Sequence, residues 1–365
     1  MIQIQRKHFW LALGAVLLLL AGGLYLFNQP APESRADYTI VLPSNTVKAR
    51  VVEIVESGEV TLGEITQPYE VIHIEVLEGE AEGQILEIDF GLRQIRTGPL
   101  PDLGETILVS ISRTENGGIN AYFVDFQRSN QMLITFLIFA GLSIGISGWK
   151  GVRGLIGMAV SLLVIIFYIL PNILRGYDPV WVSISGAFAL LAVTLYLVYG
   201  WNLKTHSAVL GTLISLTLTG FLAAFFTDFT RMTGFGSEEA LFLLQLATVQ
   251  IDLRGIVLGG ILIGALGVLD DLVITQASVT FTLHQTDTSL NYRELYRRAM
   301  LVGQDHVAAT VNTLVLAYVG AALPTMLLFS LASEDFGLLI NYEIVAEEVV
   351  RTLVGSMGLI LAVPI

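Results

Sequence analysis

The sequence predicts an α-helical polytopic membrane protein with a small extracytoplasmic β-barrel, OB-like in type, inserted after the first helix. Three observations carry that reading. The chain of 365 residues is 54% hydrophobic and only 14% charged, against roughly 25% charged in an ordinary soluble domain. Apolar runs long enough to cross a hydrocarbon core of about 30 Å recur along it. One stretch breaks the pattern. Between Gln29 and Asn130 lie 17 of the 32 acidic residues but only 7 of the 19 basic ones, a local balance of −10.

The first element is the apolar run Phe9 to Phe27, behind the basic flank Arg6-Lys7-His8. A cleaved signal peptide has a shorter apolar core, about 7–15 residues. The reading is therefore an uncleaved anchor over residues 1–29, although Ala21-Gly22-Gly23 supplies the small residues that cleavage would need.

Residues 30–130 change character. Apolar and polar residues alternate within 47–56, 69–76, 84–90, 106–112 and 121–126. That period marks strands with one packed and one wet face. Turn-forming clusters such as Gly98-Pro99-Leu100-Pro101-Asp102 and Glu115-Asn116-Gly117-Gly118 separate some of them. Five short strands suit a small barrel. The acidic balance, with a net charge of −13 for the whole chain, argues against nucleic acid as its partner. A packing or assembly domain is the simpler reading.

Residues 131–365 form the membrane domain, with spans expected near 131–148, 153–171, 180–200, 207–227, 255–277, 306–330 and 351–365. With the anchor that makes about eight. Taking the N-terminus as cytoplasmic, the inner segments carry Arg6, Lys7, Lys150, Arg153, Lys204, Arg293, Arg297 and Arg298. The short outer loops carry Arg175, Arg231, Arg254 and Arg351. The asymmetry favours a multi-pass protein of the cytoplasmic (inner) membrane, with the N-terminus inside and the β-domain outside. Ser237 to Ala247 reads as a short helix capped by Ser237, too short to span. Asn291 to Leu301 opens like a capping box, Asn291 with Glu294, and is basic and amphipathic, as a helix on anionic headgroups would be.

The run from Gly255 to Ile274 is almost wholly apolar except for Asp270 and Asp271. A carboxylate near a bilayer centre costs about 2.5–3.5 kcal/mol on insertion scales. The pair either works inside the membrane or marks where the helix leaves it. From Gly255, Asp271 lies roughly 24 Å along the axis, nearer the inner boundary than the midplane. Gly260, Gly264 and Gly267 allow another helix to approach closely, and a homodimer is one expected arrangement.

Two segments resemble the YibE/F family of bacterial polytopic membrane proteins. They are Gly264-Ala265-Leu266-Gly267-Val268-Leu269-Asp270-Asp271 and the run Gly303 to Gly320, which opens Gly303-Gln304-Asp305-His306. Gln304 departs from the arginine associated with that position. The resemblance covers roughly residues 130–365. It implies a polytopic inner-membrane protein, with a transport role presumed from architecture alone.

Asp271 and Thr275 share a helix face. On the following span Asp305 and Asn312 share one stripe, and His306, Thr310 and Thr313 the next. Asp270, Asp271, Thr275, Asp305, His306, Asn312 and Thr313 are therefore the candidate polar cluster. They would exchange protons, since a carboxylate beside histidine can titrate near neutrality, or coordinate a hard cation. The competing reading is capping by Asp305 plus interhelical bonds from Asn312 and Thr313. Gln245, Gln250 and Asp252 are the candidates for an outer gate. Pro324 is expected to kink its span.

The functional expectation is a secondary transporter or permease-like protein moving an unknown small solute or ion. The alternative is a non-transporting scaffold whose outer β-domain binds a partner. No enzymatic activity, cofactor or nucleic-acid partner is expected beyond contact with the lipid bilayer. The absence of cysteine excludes thiol chemistry. An aspartyl hydrolase would need Asp271 and Asp305 to share a proton, and no Gly-x-Gly-Asp signature accompanies them.

Overall fold

The computed structural model describes residues 46–92, 98–113, 118–247, 249–331 and 336–365. The expected anchor and the start of the expected β-region lie outside the described residues. The chain divides into two compact units at the Leu142–Ser143 step.

The first unit is built on a five-stranded antiparallel sheet: β1 (Thr46–Leu62), β2 (Ile65–Val76), β3 (Ile85–Phe90), β4 (Thr106–Arg113) and β5 (Ile119–Phe126), in the order β3-β2-β1-β4-β5. The five stretches of period-two alternation become these strands. The first two run further than the pattern indicates, because Leu62 pairs with Ile65 across a two-residue turn. Gly63 opens that turn at φ 67°, a conformation that costs glycine little. The inward residues Ala49, Val51, Ile72, Ile74, Ile88, Phe90, Ile107, Val109 and Phe123 make one apolar core.

The expected barrel is not closed. β3 and β5 are the sheet's two edges. Phe90 meets Phe123 edge-on with ring centroids 4.7 Å apart, and Phe126 lies 5.2 Å from Phe123. These rings pack with the core on the sheet's inner face, near its two edges. A cleft of about 330 Å³ remains between the edges, lined in part by Glu87, Asp89, Asn120 and Tyr122.

The second unit is helical. The helix α1 (Ser129–Ser147) lies across the division, most of it in the first unit; the elements of the second are α2 (Trp149–Leu174), α3 (Pro179–Tyr199), α4 (Leu203–Phe229), α5 (Glu238–Leu246), α6 (Leu253–Thr286), α7 (Tyr292–Ala321), α8 (Leu323–Leu331), α9 (Phe336–Leu339) and α10 (Glu343–Ala362). Among the described residues, five of these are long and apolar enough to cross a membrane: α1, α2, α3, α4 and α6. Counting the pair α7–α8 as one span makes six; it bends by 60° just ahead of Pro324. Pro171 likewise follows a π-turn at Ile165–Ile169 in α2, since proline cannot supply the regular amide donor.

Helix starts follow local chemistry. Asp178 accepts from Val180 N at 2.8 Å, Asn202 from Thr205 N at 3.0 Å, Ser237 from Ala240 N at 3.2 Å and Asn291 from Glu294 N at 2.9 Å. Glu294 turns to Arg297 and Arg298 instead of closing a capping box.

The last helix corrects the sequence reading. It begins at Glu343, not near 351, and Arg351 sits well inside it rather than in an outer loop. Its charges hide it from a hydropathy criterion. Its packed face nonetheless buries Val350, Val354, Gly355, Gly358 and Leu359.

Glycine spacing sets how closely helices pack on α6. The Ser183 hydroxyl and Pro179 carbonyl of α3 lie against Gly259, and Gly358 of α10 lies against Thr219 of α4. Gly260 and Gly267, expected to admit a neighbour, face open space. Gly358→Ala is expected to lower stability by about 1–3 kcal/mol through overpacking. Gly260→Ala should be neutral, or stabilising by up to about 1 kcal/mol. Thermal unfolding of the two variants in detergent checks this.

In β2, Glu70 is buried, and its Oε2 has no hydrogen-bond partner among the described residues. Burial raises its carboxyl above the ordinary 4.5, and the nearby Asp102 charge adds to this. A raised folded-state pKa contributes stability that is present below 4.5 and lost as pH rises through the folded value. Glu70→Gln should therefore protect β2 amides from hydrogen exchange better than wild type at pH 7, with no gain at pH 4.

Candidate functional site

The site is built around α6, whose neighbours fix its register. Gly255 touches Pro179 and Gly259 touches Ser183, so α3 runs parallel to it. Gly211 meets Val273 and Gly220 meets Leu262, so α4 runs antiparallel. α7 is also antiparallel, with Gly303 against Gln276 and Tyr318 against Gly264. Gln276 Nε2 donates to the Ala299 carbonyl at 3.1 Å and ties the two chains of that hairpin. Carrying the α3 register forward puts Gly264 level with Phe188, near the middle of the 21-residue α3. Asp270 comes level with Thr194, about 7–8 Å short of the end of α3 at 1.5 Å per residue.

Asp270 is half-buried on the α3 side, and its Oδ1 is buried without a hydrogen-bond partner among the described residues. Tyr199, at the end of α3, lies within electrostatic reach of both Asp270 and Asp271. The Lys204 ammonium sits 5.7 Å from the Tyr199 ring centre. Beside it the Tyr196 hydroxyl bonds His206 Nδ1 at 2.7 Å, and Trp201 stacks on Tyr196 at 4.6 Å. The aspartate pair thus approaches a cluster of aromatic and basic groups at the α3–α4 turn.

Asp271 is exposed. It ends a stripe with Gly260, Gly264 and Gly267, at spacings of four, three and four, which Thr275 continues. Gly260 and Gly267 face open space, and the Tyr318 hydroxyl covers Gly264 between them. Thr275 is half-buried.

On α7 the packed residues are Gly303, Val307, Val311, Leu314 and Tyr318. Asn312 lies nine residues after Gly303, a rotation of about 900°, and so points to the opposite side. Asp305 and Asn312 are both exposed there, with Thr313 beside them. His306 is half-buried on the flank. The hydroxyls of Thr310 and Thr313 bond back to the carbonyls of His306 and Ala309 at 2.8 and 3.0 Å. Asp305 and Asn312 are therefore not turned toward Asp271 within one chain. At the other end, Gln245 and Gln250 are exposed, and Asp252 heads α6 with its carboxylate over Gly255.

The structure adds a cluster that sequence reasoning missed. Arg351 of α10 pairs with Glu347 and Glu348 one turn back. Both Arg351 and Glu348 lie within electrostatic reach of Tyr318 on α7. The Tyr318 hydroxyl in turn rests against Gly264, 2.8 Å from where a Cβ would stand. Glu347 also approaches Gly236 of the α4–α5 loop. The neighbouring Glu343 is already spent: it accepts from Thr233 N at 2.6 Å, Thr233 Oγ1 at 2.7 Å and Gly234 N at 2.7 Å. The signal in the sequence was the i, i+3 and i, i+4 spacing of Glu347, Glu348 and Arg351, which belongs to a helix rather than a loop.

Two charged stations therefore flank Gly264–Gly267: Arg351 with its two glutamates on one side, the aspartate pair on the other. The first holds one carboxylate more than it has guanidinium groups. Among the described residues no three His, Asp or Glu side chains converge as a metal site would require. Arg351→Gln should strand two carboxylates and cost about 1–3 kcal/mol, below the figure for fully buried pairs because the three side chains retain some solvent contact. The matched triple Glu347→Gln, Glu348→Gln, Arg351→Gln should recover part of the loss. Unfolding midpoints of the two variants test this.

No curated protein and no solved structure matches the chain. A family model described as YibE/F-like protein matches residues 135–365. The matched region contains the aspartate pair, the α7 polar run and the Arg351 cluster. It takes in well over half of the chain, which belongs to the YibE/F-like family.

Proposed function

We propose that this protein is a secondary transporter that moves a proton or small cation along α6, between the Arg351 cluster and the aspartate pair. The family and the apolar helices point to a multi-pass membrane protein. The observation that carries the transport reading is the placement of ionisable side chains on adjoining helices of an otherwise apolar bundle. Such groups are costly in a membrane and are by default sites of function. The stretch from Gly264 to Asp270 is about 9 Å along the helix. Gly267 carries no side chain to obstruct that stretch. Asp270 and Asp271 would receive the ion and pass it to the α3–α4 turn. No catalytic step or cofactor enters this reading.

The proposed location is the cytoplasmic membrane, with the sheet outside. With Arg351 moved into a helix, the side of the bundle holding Lys150, Arg153, Lys204, Arg293, Arg297 and Arg298 outweighs the side holding Arg175, Arg231 and Arg254. Excess Lys and Arg mark the cytoplasmic face.

A second reading, a scaffold that binds a partner through its β-unit, is favoured by one observation: the open cleft between β3 and β5. Flux separates the two. Purified protein reconstituted in liposomes is expected to pass protons, sodium or potassium down a gradient. Asp270→Asn and Asp271→Asn should each slow that flux at least about tenfold, since each removes a charged group from the proposed path. Wild-type liposomes as tight as empty ones would sink the transport reading and leave the scaffold. Unchanged flux in both variants would sink the site.

A further inference from the structure

We propose that the outward face of α7, carrying Asp305 and Asn312, is half of a site that a second copy of this chain completes. This stands independently of the transport reading. Asp305 and Asn312 lie half a turn away from the packed residues Gly303, Val307 and Leu314, and both are exposed. By the α6–α7 register, in which Gly303 meets Gln276 and Tyr318 meets Gly264, Asn312 stands level with the stretch around Leu269, well inside the length of the bundle. An amide facing hydrocarbon at that level would lack hydrogen-bond partners, an arrangement membranes penalise; Asp305, about 10 Å nearer the start of α7, comes level with the end of α3.

The occupant must offer such partners at the same level. The chain's apolar segment Phe9–Phe27 carries no amide or carboxylate side chain, so it fits poorly. A second copy fits. Around a two-fold axis along the bundle, each α7 presents Asn312 at the same height. A primary amide both donates and accepts, so it is complementary to itself. Asp305, on the same stripe, meets its own counterpart, with the partner's His306 on the flank. Ala308, Ala309, Ala317 and Gly320 are exposed around them, and side chains this small let two helix backbones come close.

The chain has no cysteine, so an introduced one is the sole thiol. Full-length protein in native membranes, oxidised with copper–phenanthroline, should give a cross-linked dimer from Ala309→Cys and from Leu316→Cys. Phe221→Cys, exposed on α4, should stay monomeric. Adding Asn312→Leu to Leu316→Cys should weaken self-association about tenfold, within the range measured for interhelical polar contacts. The thermal midpoint of that variant reports that it still folds. Equal cross-linking through Phe221→Cys, monomers from both α7 positions, or an intramolecular link between Leu316→Cys and Leu18→Cys would each overturn the proposal.

Discussion

Close backbone approach along α6 is the constraint on which the helical unit depends. Gly255 and Gly259 have no side chains, and α3 therefore lies with Pro179 and Ser183 directly against them. That contact fixes a parallel register, and the register decides which residues share a level. Asp270 comes near Tyr199 because four residues separate the contacts on both helices. The same logic on the other side lets the Tyr318 hydroxyl reach Gly264. In lipid, helices gain little from burying apolar surface against one another, so packing of this kind has to supply the cohesion. A methyl group at Gly259 would shift α3 and with it the surroundings of the aspartates.

The polar groups divide according to how far the chain itself satisfies them. Glu343 is saturated by three donors from the α4–α5 loop. Glu347, Glu348 and Arg351 satisfy one another in large part. Several threonine and serine hydroxyls along α4, α6 and α7 bond back to their own helices, as those of Thr219, Ser278, Thr280 and Thr310 do. Among the described residues, the Asp270 carboxylate has a buried oxygen without such provision, as do the hydroxyls of Ser183, Ser215 and Thr227, and the side chains of Asp305 and Asn312 turn outward. A buried or membrane-level polar group that lacks a partner is expensive, and the expense is tolerated where an ion, water or another chain completes the site.

Much of this was legible in the sequence, and the illegible part has definite causes. Strands with one wet face advertise themselves by alternation, so all five are readable at their cores. Ser237 and Asn291 could be recognised as helix starts because short polar side chains accept from the first free amides. Hydropathy failed for α10, since Glu343, Glu347, Glu348 and Arg351 lower the average of a helix whose other face is apolar. Spacing showed that Asp305 and Asn312 share a stripe. It could not show which way the stripe turns, because that depends on Gly303 and Tyr318 meeting α6. Closure of the sheet was equally beyond reach: whether β3 and β5 pair depends on contacts between residues far apart in sequence, such as those of Phe90 with Phe123 and Phe126.

The two charged stations differ in a way that matters for any ion moving between them. At Arg351 the guanidinium is fixed, since arginine does not give up its proton, and its two glutamates leave one net negative charge. At Asp270 and Asp271 no guanidinium among the described residues is paired with the carboxylates, and the Lys204 ammonium lies 5.7 Å from the Tyr199 ring centre. An ion entering from the α10 side would therefore trade a partly neutralised site for a less neutralised one. On the proposed reading that gradient of unsatisfied charge holds a cation at the aspartates, and release there would depend on the basic and aromatic cluster around Lys204, Trp201 and His206. Anions would meet net negative charge at both stations, so the arrangement favours positive cargo.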